Sequence, residues 1–337
     1  MEIRLLRLGL AALLALVSAD ALPARSRPLR RRPPRVRDMT LNPDEVNDAS
    51  LAPTIGRGAS GSAVLRAQIL LARAHFSCGE IDARFGDNLR GAVAAFQRSR
   101  GLDPAGVLDA ETWRLLDGDT APALVRVMIS PEDVAGPFVS IPDDMLEKAK
   151  LPALSYSSAR EGVAEKYHAS PKVLDLLNPG AAFEQAGTEI LAPNVSVPVS
   201  GPAAKVVVSK SQRAVLALDS SGAIIAYYPA SIGSEHDPLP IGTWKIQGVA
   251  RNPIFHYNPD LFWDAKEHEK AAIAPGPNNP VGVCWIDLSK PHYGIHGTPE
   301  PSQIGKTQSH GCIRLTNWDV AELAQMVRPG TPAILED

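Results

Sequence analysis

The chain has 337 residues, of which 45% are hydrophobic and 21% charged, so it can form a sizeable core and more than one domain. Its formal net charge of −3 excludes the generally basic surface that nucleic-acid binding requires. Partners must therefore be recognised by local features of the sequence.

The N-terminus has the three parts of a secretory signal. Arg4 and Arg7 precede an apolar run over residues 8–17, and a small-x-small cleavage pattern ends at Ala21. This run is about ten residues long, half of what a spanning helix needs, so an uncleaved anchor is the weaker alternative. Residues 1–21 are predicted to be a signal peptide, and the protein is predicted to be exported to the periplasm or cell wall.

Residues 22–60 are predicted to be a linker. The segment is rich in arginine and proline and shows no apolar period up to residue 53, which is typical of a solvated tether. Its basic cluster at residues 30–37 fits contact with anionic lipid or wall polymer, and it equally fits a charged linker that stays extended.

Residues 61–118 show helical periodicity. Apolar residues recur from Val64 to Leu70 and again from Ala92 to Phe96, and a short third helix is predicted over residues 109–116 with Asp109 as its N-cap. Phe96 and Trp113 are predicted to be core residues.

This helical segment resembles the three-helix peptidoglycan-binding module. The resemblance rests on Gly79-Glu80-Ile81-Asp82, Phe85-Gly86, residues 92–97, Gly101-Leu102 and Thr112-Trp113. It implies that glycan strands of the cell wall are a partner.

Residues 150–198 are predicted to form another small module, with helices over residues 159–167 and 171–177 and a strand over residues 188–191. Residues 161–167, Leu177-Asn178-Pro179 and residues 190–193 resemble a LysM module. That resemblance implies a first strand near Tyr156, where the sequence shows no strand pattern. The segment is expected to bind wall glycan or to act as a spacer.

Residues 203–337 are predicted to be a β-rich domain. Strands are predicted at residues 205–209, 214–218, 224–229 and 243–249, with the spacing of an all-β sandwich or barrel. A last helix is predicted over residues 318–327, with a cap near Asn317. The fold class is therefore multidomain α+β.

Reactive side chains concentrate in residues 293–298 and 309–315. If the second segment is a strand, Ile313 and Leu315 enter the core, and Cys312 shares the opposite face with Arg314. The positive charge of Arg314 is then expected to favour the thiolate form of Cys312.

A partner for this thiol is predicted on the preceding strand. There Ile295 points to the core and His296 to the other face, and the loop 297–308 can bring His296 onto Cys312. Gly311 allows a sharp turn that brings backbone N–H groups near a reacting carbonyl, as an oxyanion hole requires. A thiol and an imidazole on neighbouring strands form the minimal pair for acyl transfer through a thioester.

The residues His296-Gly297-Thr298 and Ser309-His310-Gly311-Cys312-Ile313-Arg314 resemble the signature of the YkuD-type L,D-transpeptidase family. By position, the resemblance implies that Cys312 is the nucleophile and His296 the base. The substrate pocket and oxyanion hole are then assigned to Ser309, His310, Gly311, Arg314, Gly297, Thr298 and Tyr293.

The resemblance also implies the reaction. A peptidoglycan stem tetrapeptide is cleaved before its terminal D-alanine, an acyl-enzyme forms, and an amine of diaminopimelate or lysine captures it. An outer-membrane lipoprotein is a further candidate acceptor, carbapenems are expected to acylate Cys312, and no cofactor is implied.

Several alternatives remain. Cys78 and Cys284 are predicted to be buried structural residues, and no metal site is predicted because the histidines lack ligand spacing. His310 is an alternative base, although its place two residues before Cys312 on the same strand is unfavourable. Water as the acceptor would make the protein an L,D-carboxypeptidase or endopeptidase. A further alternative, from another functional class, is a peptidoglycan-binding protein without catalytic activity.

Overall fold

The computed structural model describes residues 39–199, 201–263, 265, 269–308 and 311–337. The predicted signal peptide at residues 1–21 lies outside this part of the chain, as do residues 22–38 of the predicted linker, Ser309 and His310. None of the helices within the described ranges combines the length and the apolar character that crossing a membrane requires.

A helical module opens the described chain. Its helices are α1 (Pro43–Asn47), α2 (Ser62–Arg73), α3 (Asp87–Ser99) and α4 (Ala110–Leu116). The predicted cap is confirmed, because the Asp109 side chain accepts a hydrogen bond of 2.8 Å from the Thr112 backbone N–H. Phe96 and Trp113 are fully buried in the core between the helices, as predicted.

The end of the predicted linker is packed, which corrects the tether prediction for residues 39–53. Leu41 and Val46 are buried in the core of the helical module. The Asn42 side chain caps α1 and accepts a hydrogen bond of 3.1 Å from the Asp44 backbone N–H. Leu41 precedes α1 and Val46 lies within it, and two apolar residues are too few to give a recognisable period, so the sequence pattern missed this contact.

A second module follows, in which two strands enclose the helices. Its elements are β1 (Leu124–Met128), α5 (Pro131–Val134), α6 (Met145–Lys148), α7 (Ala159–Lys166), α8 (Pro171–Leu177) and β2 (Glu189–Pro193). β1 and β2 pair antiparallel, with Val127 opposite Ile190. The helices predicted over residues 159–167 and 171–177 are confirmed as α7 and α8.

The start of this module at residue 150 was predicted wrongly. The strand that pairs with β2 lies at residues 124–128 rather than near Tyr156, and residues 129–158 form an insertion before α7. Strand β1 has only five residues and is separated from α7 by this insertion. Its local sequence therefore does not indicate that it pairs with β2. The LysM resemblance itself stays a prediction.

The third region is a β-rich domain with one long helix. Its elements are β3 (Lys205–Ser209), β4 (Ala214–Leu218), β5 (Ile224–Pro229), β6 (Ser231–Ile232), β7 (Gly242–Arg251), β8 (Phe255–Tyr257), β9 (Ala271–Ile273), β10 (Cys284–Leu288), β11 (Gly294–His296), β12 (Ile313–Arg314), α9 (Asn317–Met326) and β13 (Pro332–Glu336). The four strands predicted from alternating runs are confirmed as β3, β4, β5 and β7. The last helix is also confirmed, but its cap is Thr316, whose hydroxyl accepts from the Asp319 backbone N–H at 3.2 Å.

The main sheet curves until its two edges meet. Its strand order is β5-β4-β3-β13-β7-β10-β11-β12-β6. β5 and β6 lie at opposite ends of this order, yet Ala230 alone separates them in the chain. The sheet must therefore bend round on itself in the manner of a barrel, as the strand spacing predicted. Its inner face packs against apolar residues of α9.

A separate hairpin, β8 and β9, stands beside the main sheet. Its buried Tyr257 and Ile273 form a small core with Leu154, and Met145 of α6 packs against that core. The Leu154 backbone N–H also donates to the Pro275 carbonyl at 2.9 Å. The insertion of the second module therefore braces this hairpin.

Candidate active site

Parallel pairing of β11 and β12 brings the two predicted reactive residues together. Ile295 lies opposite Ile313 in the pair, which puts Gly294 beside Cys312 and His296 beside Arg314. Ile295 and Ile313 are fully buried in the barrel core. Because side chains alternate along a strand, Cys312 and His296 lie on the other face, as the sequence predicted.

The His296 imidazole is held in one tautomer. Its Nδ1 lies 2.7 Å from the Gly297 carbonyl oxygen, and a carbonyl can only accept, so Nδ1 carries the proton. Nε2 is then the basic nitrogen. The Trp285 ring on β10 stacks on the imidazole at 5.4 Å and fixes its plane.

Burial keeps His296 neutral. Desolvation lowers its pKa to about 4, the Gly297 carbonyl opposes this shift, and the nearby Arg314 charge adds to it. At neutral pH the imidazole is therefore unprotonated and able to accept a proton.

The Cys312 thiol is also neutral at rest, which corrects the expectation of a thiolate. Burial raises the pKa of Cys312 above its usual value, and the Gly294 backbone N–H and the Arg314 charge lower it by less. Arg314 thus acts in the predicted direction, but desolvation outweighs it. Cys312 Sγ lies 3.7 Å from the His292 carbonyl oxygen, to which the thiol donates.

The turn before Cys312 requires glycine. Gly311 has a φ of +89°, and a Cβ at this position would come within 3.0 Å of the Tyr293 ring. Tyr293 therefore covers the turn from the side of β11. Ser309 and His310, predicted to shape the same pocket, are outside the described residues.

Arg314 is anchored beside the thiol. Its guanidinium donates to the Gln308 carbonyl, and burial lowers its pKa from the usual value. An arginine keeps its charge even after such a shift, so the positive charge stays next to Cys312.

A cavity of about 1030 Å³ opens over these groups. Tyr293, His296, Cys312 and Arg314 all line it, so the structure brings four of the predicted residues to one site. A cavity of this size is at the upper end of the range for small ligands and can take a peptide. Among the residues that the structure describes, no three His, Cys, Asp or Glu side chains are grouped to hold a metal ion.

Part of the cavity wall comes from outside the β-rich domain. Asp143 and Met145 line it from the insertion of the second module, opposite the sheet. Ile254 and Leu261, from the hairpin segment, line the cavity with about half of their side-chain surface exposed, at 52% and 47%. Nothing in the local sequence indicated that residues 143–145 would reach this site.

Gly297 and Thr298 were predicted to bind substrate, but the structure places them behind the site. Gly297 packs so tightly that a Cβ there would lie 2.2 Å from Asn317 Oδ1, and neither residue lines the cavity. Thr298 is buried, and its hydroxyl accepts from the Glu300 backbone N–H at 3.2 Å. Both residues directly follow the strand end that carries His296.

Asn317 packs against Gly297 and was not identified from the sequence as a site residue. Its Oδ1 accepts from the Val283 backbone N–H at 3.2 Å, and its Nδ2 donates to the Pro277 carbonyl at 3.1 Å and to Glu165 Oε1 at 3.0 Å. Burial raises the pKa of Glu165 to about 7. The second module thus reaches the loop under His296 through Glu165.

The other two cysteines behave as predicted. Cys78 and Cys284 are buried and form no disulfide. Burial is the largest cause that raises the pKa of each thiol. Neither belongs to the cavity lining.

The fold and the site define a class. A neutral imidazole with a basic Nε2 and a thiol directly before the adjacent strand, both lining a peptide-sized cavity, are the groups needed for acyl transfer. Comparison with known proteins identifies the family. The model described as "L,D-transpeptidase catalytic domain" matches residues 203–335, and the one described as "Putative peptidoglycan binding domain" matches residues 60–116.

Individual relatives agree with these matches. The "Putative L,D-transpeptidase YkuD" of Bacillus licheniformis is 35% identical over 173 residues, which cover 51% of this chain and 89% of that protein. The protein of the same name from Bacillus subtilis is 33% identical over 170 residues, covering 50% and 88%. The chain belongs to the L,D-transpeptidase family, and its resemblance to that family and to the peptidoglycan-binding module is confirmed.

A solved structure is also similar. The L,D-transpeptidase of Xylanimonas cellulosilytica (residues 123–326) matches with 17% identity and a TM-score of 0.36, over 85% of this chain and 98% of that one. At that TM-score the match adds nothing to the assignment.

Proposed function

We propose that the protein is a cysteine-dependent L,D-transpeptidase that joins peptidoglycan stem peptides, with Cys312 as nucleophile and His296 as base. One observation carries the proposal: an imidazole with a basic Nε2 at the end of β11 and the thiol directly before the parallel strand β12 line the same cavity. The family assignment supports the reaction, and the lining of the cavity supports the choice of these two residues.

The reaction follows from the neutral pair. His296 Nε2 takes the thiol proton as Cys312 Sγ attacks the carbonyl before the terminal D-alanine of a tetrapeptide. The protonated imidazole then gives this proton to the leaving D-alanine amine, and a thioester remains on Cys312. Because both groups start neutral, no charge is buried until the substrate has displaced water from the cavity.

Positive charge and backbone donors stabilise the negative charge that develops. Arg314 lies on the same face as Cys312, and the Gly294 N–H reaches the sulfur itself. Gly311 lets the backbone turn sharply just before the nucleophile. Ser309 and His310 complete this part of the proposal by their position in the family signature.

The remaining parts of the chain fit an enzyme that works on the wall. Residues 60–116 are proposed to hold glycan strands, and residues 1–21 to direct export, so that the enzyme acts in the periplasm or cell wall. A lipoprotein lysine is a further candidate acceptor, and carbapenems are proposed to acylate Cys312.

The test is to incubate the full chain with tetrapeptide muropeptides and to weigh the products. Wild-type protein is expected to yield cross-linked dimers and free D-alanine, and Cys312→Ala to yield neither. Cys78→Ala, which removes a buried thiol away from the cavity, is the matched control and should retain activity.

The products also separate the rival functions. Tripeptides without dimers would mean that water is the acceptor and would replace transpeptidation by carboxypeptidase activity. Equal product from wild type and Cys312→Ala would overturn the role of Cys312. No product from either would point to a protein that only binds the wall.

A further inference from the structure

Asp237 is an acidic side chain that the reaction described so far does not use. It lines the catalytic cavity together with Cys312 and Tyr293. Its negative charge acts on both neighbours, because it is among the causes that raise the pKa of the Cys312 thiol and of the Tyr293 hydroxyl. The carboxylate therefore stands near the reacting sulfur.

The carboxylate is not fully paired within the protein. Asp237 Oδ2 is buried and has no hydrogen-bond partner in the described part of the chain. A buried carboxylate oxygen without a donor is unfavourable, and a catalytic role of the group is one of the reasons for which proteins retain such atoms. Its position beside the thiol also makes acylation harder, since a negative charge disfavours the thiolate. Because the Asp237 carboxylate is unfavourable both as an unpaired buried group and for acylation of Cys312, we expect it to act in a later step of the reaction.

The surrounding loop holds Asp237 in place. The Ser234 backbone N–H donates to the Asp237 carbonyl at 2.9 Å, and the Asp237 backbone N–H donates to Ser234 Oγ at 2.9 Å. The His236 ring lies 4.4 Å from the Trp263 ring, which ties the loop to the hairpin segment. A carboxylate on a fixed loop can position a ligand group accurately.

We infer that Asp237 binds the amine of the acceptor and directs it to the thioester on Cys312. This inference rests on the proposed function and names the side chain that favours an amine over water in capturing the acyl group. A carboxylate attracts a primary ammonium strongly and water only weakly. The primary amine that the proposed function uses as acceptor, on a diaminopimelate or lysine side chain, therefore has a binding group in the cavity.

The transfer step balances. The bound ammonium gives one proton to Asp237, and its nitrogen lone pair attacks the thioester carbon. His296 takes a second proton from that nitrogen, the carbon–sulfur bond breaks, and the sulfur leaves and receives the proton from His296. An amide bond has formed, the Cys312 thiol is restored, and the proton on Asp237 passes to water.

The test compares the two fates of one acyl-enzyme. Wild type, Asp237→Asn and Asp237→Glu are incubated with tetrapeptide muropeptides, and the ratio of cross-linked dimer to hydrolysed tripeptide is measured by mass. Asp237→Asn is expected to lower the ratio about tenfold, since a charge-assisted hydrogen bond is lost. Asp237→Glu keeps the charge and should recover part of the ratio.

The ratio does not depend on how much of the variant is folded, because both products come from the same acyl-enzyme. Glu235→Gln removes an exposed carboxylate from the same loop, outside the cavity lining, and should leave the ratio at the wild-type value. An unchanged ratio in Asp237→Asn, or an equal fall in Glu235→Gln, would overturn the inference. If wild type itself makes no dimer, it is the proposed function that fails.

Discussion

The two sides of the catalytic cavity are built differently. The inner wall, formed by β11, β12 and the turn at Gly311, is tightly packed and carries the reacting groups. The outer wall, formed by residues 253–257, 261, 262 and 265 with Asp143 and Met145, exposes apolar side chains to the cavity. There is no room for a Cβ at Gly294 in the inner wall or at Gly297 directly behind it, whereas Ile254 and Leu261 in the outer wall are only half covered.

This difference separates two tasks. Acyl transfer depends on the relative position of a thiol and an imidazole to within about half an ångström, which close packing on strands provides. Binding a peptide depends on apolar surface that the peptide itself will cover. Changes in the inner wall should therefore affect folding and the rate of chemistry, and changes in the outer wall should affect substrate affinity.

The largest effect is expected from Gly297→Ala, directly behind the inner wall. The added Cβ would lie 2.2 Å from Asn317 Oδ1 and 3.3 Å from Gly282 Cα, so Asn317 would have to move away from its hydrogen-bond partners. Overpacking of this kind costs about 2–3 kcal/mol, and the displaced strand end carries His296. Denaturant unfolding and the turnover of tetrapeptide should both show the loss.

The matched control is Gly248→Ala on β7, where a Cβ meets nothing within 4 Å. Its unfolding free energy should stay within about 0.5 kcal/mol of wild type, as for surface substitutions generally. If both variants were equally stable and active, the close packing under His296 would be unimportant and the contrast between the walls would fail.

A smaller effect is expected from Ile254→Ala in the outer wall. The side chain is 52% exposed, so its removal should change the melting temperature little. If a bound peptide covers it, the variant loses about 1 kcal/mol of binding, which raises KM for the tetrapeptide about fivefold with kcat unchanged. Steady-state release of D-alanine measures both constants.

Ile241→Ala serves as the comparison, because Ile241 is similarly exposed, at 57%, but does not line the cavity. Its KM should equal that of wild type. A matching rise in KM for Ile241→Ala, or a fall in kcat for Ile254→Ala, would mean that the outer wall is not a peptide-binding surface.

The inner wall was largely predictable from the sequence, and the outer wall was not. Ile313 and Leu315 alternate with Cys312 and Arg314, so the faces of the strand could be assigned from local pattern alone, as could the Asp109 cap. Local pattern does not weigh burial against a nearby charge, which is why the thiol was wrongly expected to be ionised.

Contacts between distant segments account for the other differences. Met145 reaches the cavity from an insertion, and Glu165 reaches Asn317 across 152 positions of the chain. Leu41 and Val46 pack into a core whose other members come later in the chain. Each position looks ordinary in its own window of sequence, so only the folded chain shows what it contacts.

The most direct test of the account is to locate the acyl group on the protein. After incubation with a carbapenem at neutral pH, intact mass should increase by one drug molecule, and peptide mapping should place the adduct on the tryptic fragment of residues 307–314, which contains Cys312. His296→Ala should acylate far more slowly, since no base then removes the thiol proton. An adduct on Cys78 or Cys284, or equal rates with and without the imidazole, would contradict the assignment of Cys312 and His296.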